Sequence, residues 1–328
     1  MGMTEATNLM KKAAGVLFPD SEAEQETFLR VLLAPTPRGS AVVWTGPRRE
    51  GELDTVGRDT LPSWLPEVIE VVRPGVKVGL SPAYAAGEIY PLDLSSVITG
   101  SAMLVAGTAL PASPRVLDLC AAPGGKSILA SVLLRPGLIL ANEVEGKRLG
   151  MLRHNLSRCL IGHAHTQRLD PAEISRLAPG AFDLCLVDAP CSGQSLLAKG
   201  IENPGCFHPS TVKGNARRQS RILAAAAETV RPGGFLLYTT CTFAARENEG
   251  GVAKLLESRP DFAAVEVPHL ADLRSPLVEW PCYRVYPHRS AGAGGFAALL
   301  RRAGEAVDPI DEPLSPPLLD YPVASSGS

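Results

Sequence analysis

Two cysteines, each just past an apolar run, are the side chains of this sequence best placed to do chemistry. The first closes the stretch Asp183-Leu-Cys-Leu-Val-Asp-Ala-Pro-Cys-Ser-Gly193, where Leu184 to Val187 has the length of a buried strand and Pro190 breaks it. Asp188, Cys191 and Ser192 therefore sit at a strand end, and in an open parallel sheet ligands bind at that end. A carboxylate three residues before Cys191 makes it the first candidate nucleophile. The second cysteine closes Phe235-Leu-Leu-Tyr-Thr-Thr-Cys241-Thr-Phe243. A lone cysteine is ordinarily an inert small hydrophobe, and the thiols of Cys120, Cys159, Cys185 and Cys282 are read that way. The strand-end position shared by Cys191 and Cys241 points instead to thiolate chemistry over one crevice.

An earlier strand end has the features of a nucleotide site. Asp118-Leu-Cys-Ala-Ala-Pro-Gly-Gly-Lys-Ser127 places Gly124 and Gly125 before a helix whose first amides are free. A P-loop would need glycine at position 120, which is cysteine, and no Gly-x-Gly-x-x-Gly is present. What remains is a nucleoside site without a pyrophosphate cradle. The next strand ends in Asn142-Glu143, about twenty residues on, where an acid typically takes ribose hydroxyls. The third ends near Asp170, available to an adenine edge, although an acid at such a place also serves as a helix N-cap. Three acids in succession (Asp118, Glu143, Asp170) favour an adenosine-bearing cofactor.

Regular alternation positions these groups. Expected strands are Val116–Leu119, Leu138–Ala141, Thr166–Leu169, Leu184–Val187 and Phe235–Thr239, with helices at Lys126–Leu134, Gly146–Cys159, Pro171–Leu177 and Ser210–Val230. Such alternation predicts a mostly parallel α/β sheet with helices on both faces. Tyr283–Tyr286 and Gly295–Leu300 follow without a good intervening helix, as a closing antiparallel pair would. Residues 1–100 read as a small α+β region: helices Thr4–Leu17 and Glu22–Leu33, the latter with a Ser21/Glu24 capping box, a strand Ala41–Thr45 and a short helix Trp64–Val72. Residues 101–305 form the α/β domain, with helix-compatible Ser101–Thr108 leading in. Residues 306–328, rich in Pro and Ser, read as a disordered tail.

The net charge of −2 gives no global reason to expect a nucleic-acid partner. Seven cysteines, an odd number without Cys-x-x-Cys, and no signal peptide ahead of them suggest reduced thiols in a cytoplasmic protein. No apolar run approaches the roughly eighteen residues of a membrane span. Cys159, His163 and His165, with His154 nearby, match no usual zinc spacing, so no metal is expected.

Taken together, Leu117-Asp-Leu-Cys-Ala-Ala-Pro-Gly-Gly-Lys126, Asp188-Ala-Pro-Cys-Ser-Gly193, Thr239-Thr-Cys-Thr-Phe243, Arg284-Val-Tyr-Pro-His288 and Gly292-Ala-Gly-Gly-Phe296 resemble the RNA cytosine-C5 methyltransferases of the RsmB/Nop/Sun family. The resemblance runs in order over roughly residues 92–302. It implies a Rossmann-like methyltransferase sheet with S-adenosylmethionine as cofactor. The implied cofactor set is Cys120, Ala121, Ala122, Pro123, Gly124, Gly125, Lys126, Glu143, Arg148, Asp170 and Asp188. It also implies that Cys241 is the nucleophile, that Cys191 assists release, and that Asp188 holds the cytosine edge.

Cytosine C5 is too electron-poor to take a methyl group directly, and a thiolate adding at C6 makes it nucleophilic. The target must leave its stack to reach the pocket, so single-stranded or flipped cytosine in rRNA or tRNA is expected. Pro190 would wall that base, and Arg217, Arg218, Arg221, Arg284, His288 and Arg289 would contact phosphates, making binding salt-sensitive. The protein is expected to act as a monomer. Residues 90–96, Tyr-Pro-Leu-Asp-Leu-Ser-Ser, depart from the family's usual glutamine and acid, and 194–209 is not its commonest insert. Two other readings are a non-catalytic RNA-binding or ribosome-assembly factor and a DNA cytosine-C5 methyltransferase. Intact cysteines disfavour the first; the Cys241 motif and the lack of a large target-recognition region disfavour the second.

Overall fold

A single mixed sheet organises the chain, and its strands carry the residues singled out above. The computed structural model describes residues 5–36 and 40–305, with Leu314 and Leu318 beyond them. The chain opens with α1 (Asn8–Leu17) and α2 (Glu22–Leu33). Strands β1 (Ser40–Trp44), β2 (Ile69–Val71) and β3 (Ile89–Asp93) form an antiparallel sheet ordered β2-β1-β3, with the short helix α3 (Pro82–Ala85) before β3. Helices α4 (Leu94–Gly100) and α5 (Met103–Gly107) lead into the main domain.

There β4 (Arg115–Asp118), α6 (Gly125–Leu134), β5 (Leu138–Asn142), α7 (Gly146–Arg158), β6 (Ala164–Gln167), α8 (Pro171–Leu177), β7 (Phe182–Asp188), α9 (Pro209–Thr229) and β8 (Val230–Thr240) alternate. Helix α10 (Glu249–Ser258) and strands β9 (Phe262–Ala264), β10 (Tyr283–Val285) and β11 (Gly295–Arg302) complete it. The strand order is β10-β11-β8-β7-β4-β5-β6, with β9 on β11. β6, β5, β4, β7 and β8 are parallel; β11 runs antiparallel to β8, and β10 to β11. The order reverses between β4 and β7, the switch point where open α/β sheets leave a crevice.

Both faces of the sheet are covered, which explains near-continuous apolar strands such as Leu184–Val187. One core joins Val116, Leu184, Leu186 and Leu237 to α6, α7 and the small sheet. The other joins Leu117, Cys185, Leu236 and Tyr238 to α8, α9 and α10, and Leu314 and Leu318 pack into it. The rest of the expected 306–328 tail lies outside the described residues. No helix among the described residues is long and apolar enough to cross a membrane.

Three local expectations are corrected. Trp64–Val72 is not a helix: Ile69–Val71 pairs with Ala41–Val43, as the β-branched alternation Ile-Glu-Val favours. A helix does stand between β8 and the closing strands, α10, its signal diluted by Gly250-Gly251 at its start. The Ser21 cap is half a capping box. Ser21 Oγ accepts from Glu24 N at 3.2 Å, but the Glu24 carboxylate turns to His288 and Arg289 instead of reaching back.

Asp118, at the end of β4, is fully buried and accepts a hydrogen bond from Ser127 Oγ at 2.6 Å, pinning the first turn of α6 to the sheet. Burial outweighs that bond and pushes its carboxyl up to about 7, so Asp118 is a structural acid and not one offered to a ligand. The folded state then holds a proton that the unfolded chain releases from about pH 4 upward, so this group's contribution to stability falls as pH rises toward 7. In urea titrations Asp118→Asn should gain on the wild type across that window, by at most roughly 1.4 kcal/mol per pH unit; a parallel pH dependence of the two proteins would refute it.

Candidate active site

The ends of β7 and β8 bring the two cysteines together. Parallel pairing sets Val187 beside Tyr238 and Asp188 beside Thr239. Thr239 Oγ1 donates to Asp188 Oδ1 at 2.8 Å, and Lys126 Nζ lies 3.2 Å from Asp188 Oδ2. Past these residues both chains turn, and Cys191 Sγ stands 3.3 Å from Cys241 Sγ. Cys241 is exposed and Cys191 half-buried.

One proton between two close sulfurs favours one thiolate and one thiol. Cys241 is held below the ordinary thiol range, chiefly by the S–H of Cys191, with further help from the Lys199 charge and the Ser195 hydroxyl. Cys191 is correspondingly held well above it, first by its bond to Cys241 and then by burial.

Buried polar side chains hold the two turns. Ser192 Oγ meets Thr242 Oγ1 at 2.7 Å, and Asn203 Nδ2 donates to the carbonyls of Ser192 and Gly193 at 2.9 and 3.0 Å. Gln219 Nε2 donates to Pro190 O, and Asn248 bridges Thr240 Oγ1 and Thr242 O. Gln194 accepts from Phe243 N and donates to Cys206 O, so the 194–209 segment is built into the back of the loop that carries Cys241.

Beside this centre a cavity of about 530 Å³ opens at the switch point, and among its lining residues are Cys120, Glu143, Arg148, Asp170, Pro190, Arg218 and Arg221. Ala121, Ala122, Gly124 and Gly125 are buried in the adjoining turn and Pro123 is exposed; none of them lines the cavity. Gly124 adopts φ +115°, the conformation a glycine is needed for. Gly125 is constrained differently, since a Cβ there would come within 2.5 Å of Leu92 on β3. Asn142 ties the strand ends that frame the cavity, donating to Leu119 O and Leu169 O and accepting from Leu169 N. Asp170 caps α8 through Ala172 N at 2.9 Å and still faces the cavity. Burial raises the Cys120 thiol well above its ordinary range, so it contributes a wall and no nucleophile.

Glu143 is buried, with Oε1 accepting from Glu145 N at 3.0 Å. Its Oε2 lies 3.0 Å from Arg148 Nη1 yet makes no aligned hydrogen bond. Arg148 also donates to Ala122 O at 2.6 Å, joining the acid to the glycine turn. An acceptor-rich, partly apolar cavity of this size fits an adenosine-bearing group.

Two expected phosphate contacts are corrected. Arg284 is 2% exposed, paired through both nitrogens of its fork with Glu249 and donating to Phe243 O at 3.0 Å. His288 is buried against Phe18, Phe28 and Tyr286 and bonded to Glu24 at 3.1 Å. Both side chains found partners inside, and desolvation lowers the His288 pKa. Arg217, Arg218 and Arg221 are exposed on α9, with Arg218 and Arg221 at the cavity rim. Sequence reasoning missed Thr239, Ser195, Lys199, Gln219 and Glu247. Only Thr239 carried a signal, its place in the Thr-Thr-Cys run.

A family model described as 16S rRNA methyltransferase RsmB/F matches residues 109–301. Ribosomal RNA small subunit methyltransferase F of Erwinia tasmaniensis is 35% identical over 242 residues, 72% of this chain and 49% of that protein. Its namesake in Klebsiella pneumoniae is 33% identical over 258 residues, covering 76% and 53%. The chain thus spans about half the length of these curated relatives. Among solved structures, PH0851 superposes with a TM-score of 0.74 at 24% identity, covering 92% of this chain and 70% of that one. NSun6 from Pyrococcus horikoshii with SFG gives 0.67 at 19%, covering 91% and 99%. At such identities the likeness is one of fold.

Removing one partner of a buried ion pair strands the other charge. Arg284→Ala should therefore lower unfolding free energy by about 3–5 kcal/mol, measured by denaturant titration; a loss below about 1 kcal/mol, the level of a surface pair, would contradict its buried role.

Proposed function

The chain belongs to the RsmB/F family of 16S rRNA methyltransferases, and on that premise we propose that it forms 5-methylcytosine in ribosomal RNA. The observation that carries the reading is the 3.3 Å approach of Cys191 Sγ to Cys241 Sγ above the Asp188–Thr239 pair. A metal-free methyl transfer to an electron-poor ring carbon calls for a nucleophile and a releasing group, and two thiols at one crevice supply both.

S-adenosylmethionine, when bound, supplies an electrophilic methyl group on a sulfonium. The chain's part is to hold it and to activate the ring. Glu143, which lines the cavity and whose Oε2 carries no hydrogen bond, would take ribose hydroxyls, Asp170 the adenine edge, and Cys120 and Pro190 the apolar contacts. Cys241, as thiolate, adds to C6 of the cytosine and pushes electron density to C5. Asp188, aligned by Thr239 and Lys126, accepts from the base's amino edge.

The proton shared by the cysteines orders the later steps. While Cys241 is a thiolate, its charge holds the Cys191 proton in place. Once the Cys241 sulfur is bonded to carbon that charge is gone, so Cys191 can release its proton to solvent; as a thiolate it then takes the C5 proton while the C6–S bond breaks and Cys241 leaves as thiolate, which restores one thiol and one thiolate. Arg218 and Arg221 on the rim, and Arg217 exposed beside them on α9, would receive backbone phosphates.

Cys241→Ala should abolish both methylation and the covalent protein–RNA adduct. Cys191→Ala should lose turnover while the adduct accumulates on denaturing gels; no adduct there would reverse or remove these roles, and bisulfite mapping of the product tests the 5-methylcytosine assignment. Glu143→Ala should weaken S-adenosylmethionine binding by about tenfold or more, the loss of one charge-assisted hydrogen bond, in isothermal titration. Unchanged affinity would sink the cofactor assignment.

A further inference from the structure

Six residues past Cys241 lies a carboxylate that the reaction as described does not use. Glu247 is wholly buried, and among the described residues no cation pairs with it. Its Oε2 accepts from Ser192 N and from Gln219 Nε2, each at 2.9 Å. That same Gln219 nitrogen donates to Pro190 O at 3.0 Å. The residues on either side of Cys191 are thus both gripped, and the Cys191 sulfur between them meets the Cys241 sulfur. The backbone of Glu247 is anchored in turn to β8, for its carbonyl accepts from Tyr238 OH at 2.7 Å. A chain of four hydrogen bonds therefore runs from the strand that carries Cys241 to the turn that carries Cys191.

We propose that Glu247 is a positioning residue that fixes the Pro190–Ser192 turn, with Gln219 as its relay, so that Cys191 Sγ meets Cys241 Sγ. The inference rests on the two-cysteine reading above. The energetics favour function over packing as the reason for this group. An unpaired carboxylate in the interior is costly, and Glu247 Oε1 and Gln219 Oε1 are both buried without a partner. Burial accordingly raises the Glu247 pKa. An apolar side chain of similar volume would be cheaper to bury. What an apolar side chain lacks is an oxygen to receive Ser192 N and Gln219 Nε2 together. Glutamine would keep that oxygen, so geometry and charge can be separated by substitution.

The test compares Glu247→Gln and Glu247→Ala in the full chain. Displacing a reacting group by about 1 Å can cost on the order of a hundredfold in rate, so Glu247→Ala should lose kcat on that scale with KM for RNA and cofactor affinity little changed. It should accumulate the protein–RNA adduct as Cys191→Ala does, and Glu247→Gln should restore turnover. A second readout needs no RNA: in a Cys241→Ser background, the alkylation rate of Cys191 by iodoacetamide, followed by peptide mass spectrometry, should change with Glu247→Ala and not with Glu247→Gln. Wild-type turnover in Glu247→Ala would overturn the proposal. So would equal impairment of both variants, or a loss of thermal stability and cofactor affinity with Cys191 reactivity unchanged. If wild-type protein forms neither 5-methylcytosine nor an adduct, the functional reading fails instead, and the alkylation comparison still decides whether Glu247 sets the turn.

Discussion

The register between β7 and β8 is the constraint on which the site depends. Parallel strands deliver their carboxyl ends side by side, and here Asp188 is paired with Thr239, so each chain leaves the sheet at the same height. A slip of one residue would move one cysteine by about 3.3 Å along the strand and turn its neighbours to the opposite face. The 3.3 Å sulfur contact would not survive that change. Register is in turn fixed from both faces. Leu184 and Leu186 enter one core, while Cys185 and Val187 enter the other, so a slip would exchange side chains of different size between two close-packed interiors.

Beyond the strand ends, apolar packing can no longer specify position, and hydrogen bonds take over. The turns after β7 and β8 are held by Gln194, Asn203, Gln219, Glu247 and Asn248, of which all but Asn203 are buried. Such a network is stabilising only when most of its members are satisfied, and then it admits a single arrangement. Helix α9 shows how one element serves two purposes. Gln219 faces inward to the Cys191 turn, while Arg218 and Arg221 border the cofactor cavity. A shift of α9 would disturb the catalytic turn and the cavity wall together.

The architecture was legible because alternation of apolar runs with helices leaves few topologies open, and the β4, β5, β7, β8 and β11 runs are bounded by clear turn residues. The sequence was less informative where a residue's partner lies far along the chain. Trp64–Val72 carried both helix-compatible spacing and β-branched residues, and only the presence of β1 beside it decides for a strand. Strand β6 begins two residues before expectation, at Ala164, because pairing with Ile139 extends it through the polar His165. Arg284 and His288 looked like surface charges since nothing local answers them. Their partners, Glu249 and Glu24, are 35 and 264 residues away. Glu247, Asn248 and Glu249 are three polar residues in succession, yet all three are buried, each tethering a different segment.

The inward arginine also explains what the N-terminal helices contribute. Phe243, two residues past Cys241, is buried against Phe28 and Tyr286, and its carbonyl is held by Arg284. Phe28 belongs to α2, and Glu24 of the same helix binds His288 and Arg289 beyond β10. The loop that carries Cys241 is therefore backed by an aromatic cluster assembled from both ends of the described chain. With those basic groups turned to this support, Arg218 and Arg221 of α9 remain exposed at the cavity. A chain with net charge −2 need not be basic overall to attract a polyanion, provided the unpaired cations are gathered on one rim. Pairing Arg284 inside while leaving Arg217, Arg218 and Arg221 outside achieves that separation, and it does so by long-range contacts that no local pattern of charge reveals.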